Sequence, residues 1–444
     1  PIPGIGRPLG MILIAGLAGI VVYLGGWVLH FIRLNQPTAV IFDEVHFGSF
    51  ADAYCCSGAY FFDVHPPHGK LLAAMGLKLG GYAGGQDFAT IGTQIYELQP
   101  WLLRLVPALA GSLIPILVFA ILHQLGASAR AAFLGGWAVL FDNALLLQTR
   151  VLALDGIMIF FMLAAISLAL LAARQGRLRG QLLASIGAGV CAGMAFGAKF
   201  TGLTSAAVVV LILWFAPRPI PGIGRPLGMI LIAGLAGIVV YLGGWVLHFT
   251  LLDQPGPGDI WGRPSGIIWR DILKIHQQMF SANYGLGATH SNASPWWAWP
   301  FSWRPIYYYA QDHTALYLVG NPVVWWGSTL GILAILVQVF RQGWTNTRRE
   351  SYALMLIPFA ISYLPYMLIP RILFLYHYLP SLVFAVMAVA LWLDRSGRLA
   401  VGNRAYKWLL VLVLIPTGFL LISPFTFGFP LPEAVLTWMR DLVH

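Results

Sequence analysis

The densest group of ionisable side chains in this sequence lies between Asp43 and Lys70. Asp43, Glu44, Asp52 and Asp63 supply four of the 16 acidic residues of the whole chain, directly after its first long apolar run. An ionisable residue at the edge of a membrane indicates function by default, and a carboxylate there can accept a proton from a hydroxyl group. We therefore predict that Asp43 and Glu44 are catalytic. The alternative is an interfacial pair that caps a helix or fixes topology.

Isolated cations elsewhere suit a phosphate group. Arg150 and Asp155 lie five residues apart at the end of an apolar run, so they do not share a helix face as residues four apart do. Arg150 is predicted to bind a phosphate and Asp155 to hold Arg150 or a neighbouring helix, with a structural ion pair as the alternative. Lys199 is either a phosphate ligand or a snorkelling interfacial anchor. Arg371, with His377 close by, suits a phosphate anion.

The segment 250–321 is long and rich in Trp, Tyr, Pro and His. Trp and Tyr mark membrane interfaces, and residues 267–276 are spaced as an amphipathic helix lying in the interface. A lid over a lipid-linked substrate is compatible with that reading. His290 and Trp296 of this segment, together with His65 and Lys70 of the earlier cluster, are predicted to shape the site or contact substrate.

No metal or nucleotide site is predicted. The sequence contains no P-loop, no HExxH motif and no metal-type cysteine spacing. Its candidate histidines match no familiar metal site, so no cofactor is assigned, and a divalent cation stays an open alternative without support in the sequence. The neighbours Cys55 and Cys56 are interpreted as small packing residues and not as a redox pair.

Membrane-spanning helices must position these residues. The 444 residues are 59% hydrophobic and 9% charged, and apolar runs of roughly 20 residues recur that are long enough to cross a bilayer. The runs are too long and too unalternating for barrel strands. We predict an all-α polytopic membrane protein with about 11 transmembrane helices and two long extracytoplasmic loops carrying interfacial helices. The predicted modules are residues 1–249, which include a first loop at about 32–99, the second loop 250–321, and a C-terminal four-helix module 322–444.

The net charge of +10 does not indicate nucleic acid, because the Lys and Arg residues cluster in short loops between apolar runs. The positive-inside rule places those loops and the N-terminus in the cytoplasm. Both long loops and all the candidate residues then share the extracytoplasmic face, as in a multi-pass plasma-membrane protein surrounded by lipids. A transporter or flippase would instead be expected to hold ionisable groups near mid-membrane.

An unusual feature is that residues 1–31 recur letter for letter at 219–249. Genuine repeats diverge and usually recur many times. We therefore treat the first copy only as one apolar span.

Four motifs resemble the protein O-mannosyltransferase family, membrane glycosyltransferases of the C-type (GT-C) fold. They occur in the family's order: Phe42–Gly48, Tyr60–Lys70, Arg150–Asp155, and Gly320–Trp326 with Arg371 and Tyr376–Tyr378. Two residues depart from the family pattern, since His68 replaces an apolar residue and Tyr366 replaces a Trp. The second long loop is too short for the β-trefoil MIR domain of eukaryotic members, which indicates a prokaryotic-type member.

The resemblance implies inverting transfer of mannose from a polyprenyl-phosphate-mannose donor to Ser or Thr hydroxyls of a protein. It implies Asp43 as the base, Arg150 and Arg371 at the donor phosphate, and Glu44 as an orienting group. A polyprenyl phosphate leaves as a stabilised anion, so a cation can replace the second carboxyl of an inverting glycosidase. A related enzyme moving another lipid-linked sugar to a lipid or glycan is the alternative. A dimer is compatible with the sequence.

Overall fold

The computed structural model describes residues 6–215, 224–285, 290–342, 350–399 and 405–443, and these are mostly helical. Long apolar helices alternate with short helices that lie in the two long loops. The helices are α1 (Gly6–Phe31), α2 (Glu44–Asp52), α3 (His68–Leu79), α4 (Pro100–Gln124), α5 (Ala129–Leu140), α6 (Asn143–Gln148), α7 (Leu154–Arg174), α8 (Leu178–Ala198), α9 (Leu203–Phe215), α10 (Gly224–Leu251), α11 (Ile268–Gly285), α12 (Pro322–Gln342), α13 (Glu350–Tyr363), α14 (Leu379–Arg395), α15 (Ala405–Phe427) and α16 (Glu433–Val443).

Six helical segments in these ranges are long and apolar enough to cross a membrane: Pro100–Gln124, Leu154–Arg174, Leu178–Ala198, Pro226–Leu251, Pro322–Arg341 and Leu375–Arg395. Shorter apolar helices accompany them: Ala15–Phe31, Ala129–Leu140, Phe200–Phe215, Met355–Leu368 and Val411–Phe427. The prediction of a multi-pass helical membrane protein is confirmed. The number of helices that cross the bilayer stays a prediction.

Glycines on α8 allow two neighbouring helices to approach it closely. A Cβ atom at Gly189 would lie 2.0 Å from the carbonyl oxygen of Ala233, and one at Gly193 would lie 2.5 Å from that of Gly237, both on α10. At Gly197 a Cβ would meet the His68 ring of α3 at 2.2 Å. Small residues spaced by four let backbones pack directly in membrane proteins. This packing fixes the end of α8, which Lys199 follows directly.

The duplicated sequence occupies two different positions. The first copy forms α1, which packs against α4 and α5, and the second forms most of α10, which packs against α8 and α9. In both copies the same glycine meets a neighbour. A Cβ at Gly26 would lie 2.3 Å from the Ser112 carbonyl oxygen, and one at Gly244 would lie 2.2 Å from Cε1 of His68. One apolar sequence therefore satisfies two sets of helix contacts.

The two long loops are joined through their backbones. The Tyr60 N–H donates to the carbonyl of Gln254 at 3.0 Å, and the Gln254 N–H donates to that of Gly58 at 3.0 Å. The Gly258 N–H returns to the Tyr60 carbonyl at 2.9 Å. The first loop, with α2 and α3, is thus held against the start of the second.

The second loop contains a strand pair that the all-α prediction missed. Strands β1 (Ile306–Gln311) and β2 (Thr314–Leu318) pair antiparallel, with a bulge between Tyr307 and Tyr309. Aromatic and β-branched residues favour such pleated, half-buried surfaces, and the run of tyrosines here was interpreted only as an interface marker. The predicted interfacial helix is α11, which exposes Trp269, Leu273 and Phe280.

The interpretation of Cys55 and Cys56 as packing residues was wrong. The two sulfurs form a disulfide within a π-helical turn, Ala53–Ser57. This turn is wider than an α-helical turn and is closed by Gly58 in the left-handed conformation, at φ 68°. Composition alone does not reveal such local backbone geometry.

Candidate active site

Asp43 lies on the segment that connects α1 to α2. Its carbonyl oxygen accepts hydrogen bonds from the N–H groups of His46 and Phe47, both at 3.0 Å, so that it starts α2. The preceding Phe42 has a φ of 43°, which is a rare conformation for a bulky residue. Its ring stacks on Tyr308 of β1 at 4.0 Å. Strained backbone that surrounding packing maintains is a common mark of functional sites.

The electrostatic setting of Asp43 suits proton exchange near neutral pH. The side chain is half-buried, and no hydrogen bond or ion pair to its carboxylate occurs within the described part of the chain. Burial raises the pKa of Asp43 to about 7; Lys199 opposes this shift, and Asp155 and Asp63 reinforce it. A carboxylate poised in this way can act as a general base.

Glu44, although adjacent, has a different setting. It is fully buried, and its two oxygens accept hydrogen bonds from Arg104 Nε at 2.8 Å and Nη2 at 3.0 Å. The backbone N–H groups of Ile41 and Leu152 also donate to it, at 3.1 and 3.2 Å. These contacts link the Asp43 loop to the segment before α7, and the catalytic role of Glu44 stays a prediction.

Arg104 supports the Asp43 loop and was missed by the sequence analysis. Besides Glu44, its guanidinium donates to the carbonyls of Leu34, Pro37 and Ala39 at 3.3, 2.8 and 3.1 Å. It is 1% exposed. One signal was available, because a single arginine inside the apolar run that forms α4 needs a partner.

A cavity of about 540 Å³ gathers five of the predicted site residues: His65, Asp155, Lys199, Arg371 and His377. The C-terminal end of α8, the start of α9 and the segment before α14 form much of its wall. Helix α11 closes one side with His276 and Phe280. Most of the remaining lining is apolar. A few charged groups converge in an otherwise apolar cavity, as is typical of a binding site.

Lys199 and Asp155 form a buried ion pair in this cavity. The lysine Nζ lies 2.8 and 2.9 Å from the two carboxylate oxygens, and it sits 4.9 Å from the centre of the Tyr376 ring. Gln148 donates to Asp155 at 2.8 Å and accepts from the Tyr308 hydroxyl. Of the two roles predicted for Asp155, the contacts show the link to a neighbouring helix and not the link to Arg150.

Lys199 and Arg371 supply the positive charge of the cavity. Arg371 is half-buried, and among the residues described no hydrogen bond or ion pair occupies its guanidinium. Burial, followed by Lys199, Lys70 and Arg371, holds the pKa of His65 well below its usual value. His65 is therefore neutral at pH 7.

Arg150 is not brought to the cavity. Its Nη1 donates to the carbonyls of Leu29 and His30 at 2.6 and 3.1 Å, and its guanidinium lies 4.6 Å from the Phe427 ring centre. Burial lowers the pKa of Arg150 to about 9, so the group is charged at pH 7. These contacts hold the end of α1, from which the Asp43 segment departs. Its predicted role at a phosphate finds no support in this geometry.

Lys70 shapes the first loop. It is buried, ion-paired with Asp63, and donates to the His65 carbonyl at 2.7 Å. It therefore fixes the backbone that carries His65 into the cavity.

His290 and Trp296 do not line the cavity. Nδ1 of His290 accepts from the Asn292 N–H at 3.1 Å, and its ring packs against Phe374. The Trp296 carbonyl accepts from the Tyr363 hydroxyl at 3.0 Å. His290 thus joins the second loop to the segment before His377, and Trp296 joins it to the end of α13. Direct substrate contact stays a prediction for both.

A second, apolar groove of about 290 Å³ adjoins the cavity and shares Phe196 and Leu203 with it. Its walls are glycines, alanines and aliphatic side chains of α8, α9 and α10. The two spaces together offer a charged end and an apolar end to one ligand.

Potential metal ligands converge in one place within the described ranges, at Asp52, Cys55 and Cys56. The two sulfurs there are joined in the disulfide, so they offer no thiolate.

Two family descriptions match the chain. "Dolichyl-phosphate-mannose-protein mannosyltransferase" covers residues 20–249, and the "C-terminal four TMM region of protein-O-mannosyltransferase" covers residues 268–442.

Similar curated proteins bear related names. Dolichyl-phosphate-mannose–protein mannosyltransferase 4 of Schizosaccharomyces pombe is 41% identical over 152 residues, which are 34% of this chain and 19% of that protein. Mannosyltransferase 1 of Saccharomyces cerevisiae is 31% identical over 271 residues, or 57% of this chain and 32% of the relative. The chain thus spans at most about a third of the length of these relatives.

Solved structures share the fold. The S. cerevisiae protein O-mannosyltransferase Pmt1–Pmt2 complex bound to the sugar donor aligns with a TM-score of 0.86 at 18% identity, covering 96% of this chain and 92% of that one. ArnT of Cupriavidus metallidurans bound to undecaprenyl phosphate aligns with a TM-score of 0.56 at 17% identity, covering 94% and 65%. The first family description alone covers more than half of the sequence. The chain therefore belongs to the protein O-mannosyltransferase family.

Proposed function

We propose that this protein transfers mannose, with inversion, from a polyprenyl-phosphate-mannose donor to Ser or Thr hydroxyls of proteins. The observation that carries the proposal is the Asp43 carboxylate. Burial raises its pKa to about 7, and the charges of the cavity residues Lys199 and Asp155 also act on it. Family membership supports mannose and a protein acceptor as the two substrates.

In this mechanism Asp43 removes the proton of the acceptor hydroxyl as its oxygen attacks the anomeric carbon of mannose. The bond from that carbon to the phosphate oxygen breaks, and its electron pair leaves with the polyprenyl phosphate. Lys199 and Arg371 stabilise the charge that develops on this phosphate. Because the leaving group is already a stabilised anion, no second carboxylic acid has to protonate it.

The apolar groove between α8, α9 and α10 suits the polyprenyl chain of the donor. Its lining of mostly small and aliphatic residues suits a hydrocarbon chain. The groove shares Phe196 and Leu203 with the cavity that holds Lys199 and Arg371, so one lipid can place its tail in lipid-like surroundings and its phosphate beside the cations. The exposed apolar side of α11 fits a helix lying in the membrane interface.

The proposed orientation places the cavity outside the cytoplasm of a plasma-membrane protein with 11 transmembrane helices. The supporting pattern is the charge of the short loops. Arg130, Arg395 and Arg398 lie near the joined ends of α5 and α14, where Ser128 is hydrogen-bonded to Asp394. The positive-inside rule assigns such loops to the cytoplasm, and Asp43 lies at the other ends of these helices.

The proposal is tested with the full chain in lipid nanodiscs, radiolabelled polyprenyl-phosphate-mannose and a Ser/Thr peptide, with β-elimination of the product. We expect a mannosylated peptide whose sugar is released by base. Asp43→Asn should lower the rate of its formation about 10²–10⁴-fold. Asp87→Asn is the matched control, because Asp87 is exposed and lies in the same loop. Transfer by Asp43→Asn at the parent rate would refute the assignment. Other lipid-linked sugars are tested in parallel. Transfer of one of them, with no transfer of mannose, would show that the donor carries a different sugar.

A further inference from the structure

A second cleft of about 490 Å³ lies between one face of the β1–β2 hairpin and α16. It shares no lining residue with the cavity that contains Lys199. Tyr307 and Tyr317 form its floor, with their ring centres 5.6 Å apart. The volume falls within the range of small-ligand sites, roughly 300–1,000 Å³.

The side chains around this cleft suit a neutral ligand with many hydroxyl groups. Asn292 and Gln311 carry carboxamides that both donate and accept, as sugar hydroxyls do. Glu433 and Arg440, which lie about two turns apart on α16, form an ion pair, so that wall presents polar atoms with little net charge. Asp312 of the hairpin adds a carboxylate that can accept from sugar hydroxyls. Tyrosine rings offer apolar faces to the C–H side of a pyranose, while their hydroxyls stay wet.

Two of the polar groups are already oriented by the protein. Asn292 is 8% exposed and donates through Nδ2 to the Tyr307 carbonyl at 3.5 Å. The oxygen of Gln311 accepts from the Tyr309 hydroxyl, which leaves its amide N–H groups as donors. Preorganised groups lose less side-chain entropy when a ligand binds.

The hairpin connects this cleft directly to the catalytic segment. Tyr307 lines the cleft, and its neighbour Tyr308 points to the opposite side, where its ring stacks on Phe42 next to Asp43. A ligand in the cleft and a hydroxyl beside Asp43 are therefore separated by the thickness of one hairpin.

We propose that this cleft binds a mannosyl group that an acceptor chain already carries. The proposal rests on the proposed function, because it takes the product of that reaction as its ligand. A glycosylated Ser or Thr held here would keep another hydroxyl of the same chain near Asp43. By raising the effective concentration of the acceptor, the cleft would favour clustered modification.

The binding test uses the full chain in nanodiscs and methyl α-mannopyranoside, followed by saturation-transfer NMR. We expect a saturation-transfer signal on the sugar with the parent protein and with Asp43→Asn. The signal should be lost with Tyr307→Ala and with Gln311→Ala. Gln311 is exposed, so its substitution keeps the test valid if Tyr307→Ala fails to fold. Trp297→Ala, an exposed aromatic residue outside the cleft, is the control. Equal signals in the parent and both cleft variants, or loss only in Asp43→Asn, would overturn the proposal.

The kinetic test compares a peptide carrying one mannose with the same peptide unmodified. Gln311→Ala should raise KM for the mannosylated peptide about tenfold and leave both kcat and the KM of the unmodified peptide unchanged. Equal weakening of both peptides would mean that the cleft recognises polypeptide and that the saccharide proposal is wrong. If the parent transfers no mannose at all, the proposed function fails while the NMR experiment still decides whether the cleft binds sugar.

Discussion

The Glu44–Arg104 pair gives the sharpest test of how the site is held. Glu44 accepts four hydrogen bonds, two from Arg104 and one each from the N–H groups of Ile41 and Leu152. In Glu44→Gln one oxygen becomes an amide NH₂ that faces two donors, and Arg104 loses its counter-charge. Removal of one partner of a buried pair costs about 3–5 kcal/mol. We expect a clear fall of the apparent melting temperature at a fixed scan rate.

The same substitution should slow transfer, because Glu44 fixes the loop that carries Asp43. A displacement of about 1 Å can cost about 10²-fold in rate, and the loss should fall on kcat. Glu97→Gln is the control, since Glu97 is an exposed acid of the same loop.

Arg104→Gln separates positioning from direct substrate contact. If Glu44 only positions the Asp43 loop, Arg104→Gln should lower the melting temperature and kcat in the same way. The double variant should then lose far less stability and activity than the sum of the two single variants, because contacting residues are strongly coupled. If Glu44→Gln abolished transfer while melting like the parent, and Arg104→Gln retained activity, Glu44 would act on substrate and our reasoning would be wrong.

Three further predictions concern Asp43 and the charges of the cavity. With peptide and donor held saturating, the transfer rate should rise with pH and level off above about 7. The reason is that burial raises the pKa of Asp43 to about 7 and the base must lose its proton. A flat profile from pH 5.5 to 8.5 would contradict this. Arg371→Gln should lower kcat/KM for the donor about 10–100-fold without lowering the melting temperature, because no ion pair within the described residues depends on it. Lys199→Gln should lower both kcat/KM for the donor and the melting temperature, since it leaves Asp155 buried without its ion-pair partner.

The sequence singled out ionisable residues by their place beside long apolar runs. Asp43, Lys199 and Arg371 are ionisable groups beside long apolar runs, and such groups are costly unless they have a use. The apolar runs also predicted a multi-pass helical membrane protein, because length and hydropathy dominate in a bilayer.

What the sequence did not predict depends on pairing over long separations. Arg104 lies 60 residues from Glu44, and Lys199 lies 44 residues from Asp155. No local pattern links such residues, since only the packing of α4, α7 and α8 brings them together. The hairpin of the second loop escaped for a related reason, because its tyrosines are equally typical of a membrane interface.

The contrast between two neighbouring acids explains why one base is enough. Asp43 and Glu44 look equivalent in sequence. Both oxygens of Glu44 accept hydrogen bonds from Arg104 and from backbone N–H groups, whereas the Asp43 carboxylate accepts no hydrogen bond within the described ranges. Asp155 is likewise engaged by Lys199. Asp63, which also acts on Asp43, is ion-paired with Lys70. Among the described residues no unengaged second carboxyl therefore lies near Asp43, and the proposed reaction suits a leaving group that departs as an anion. A phosphate beside Lys199 and Arg371 meets that requirement.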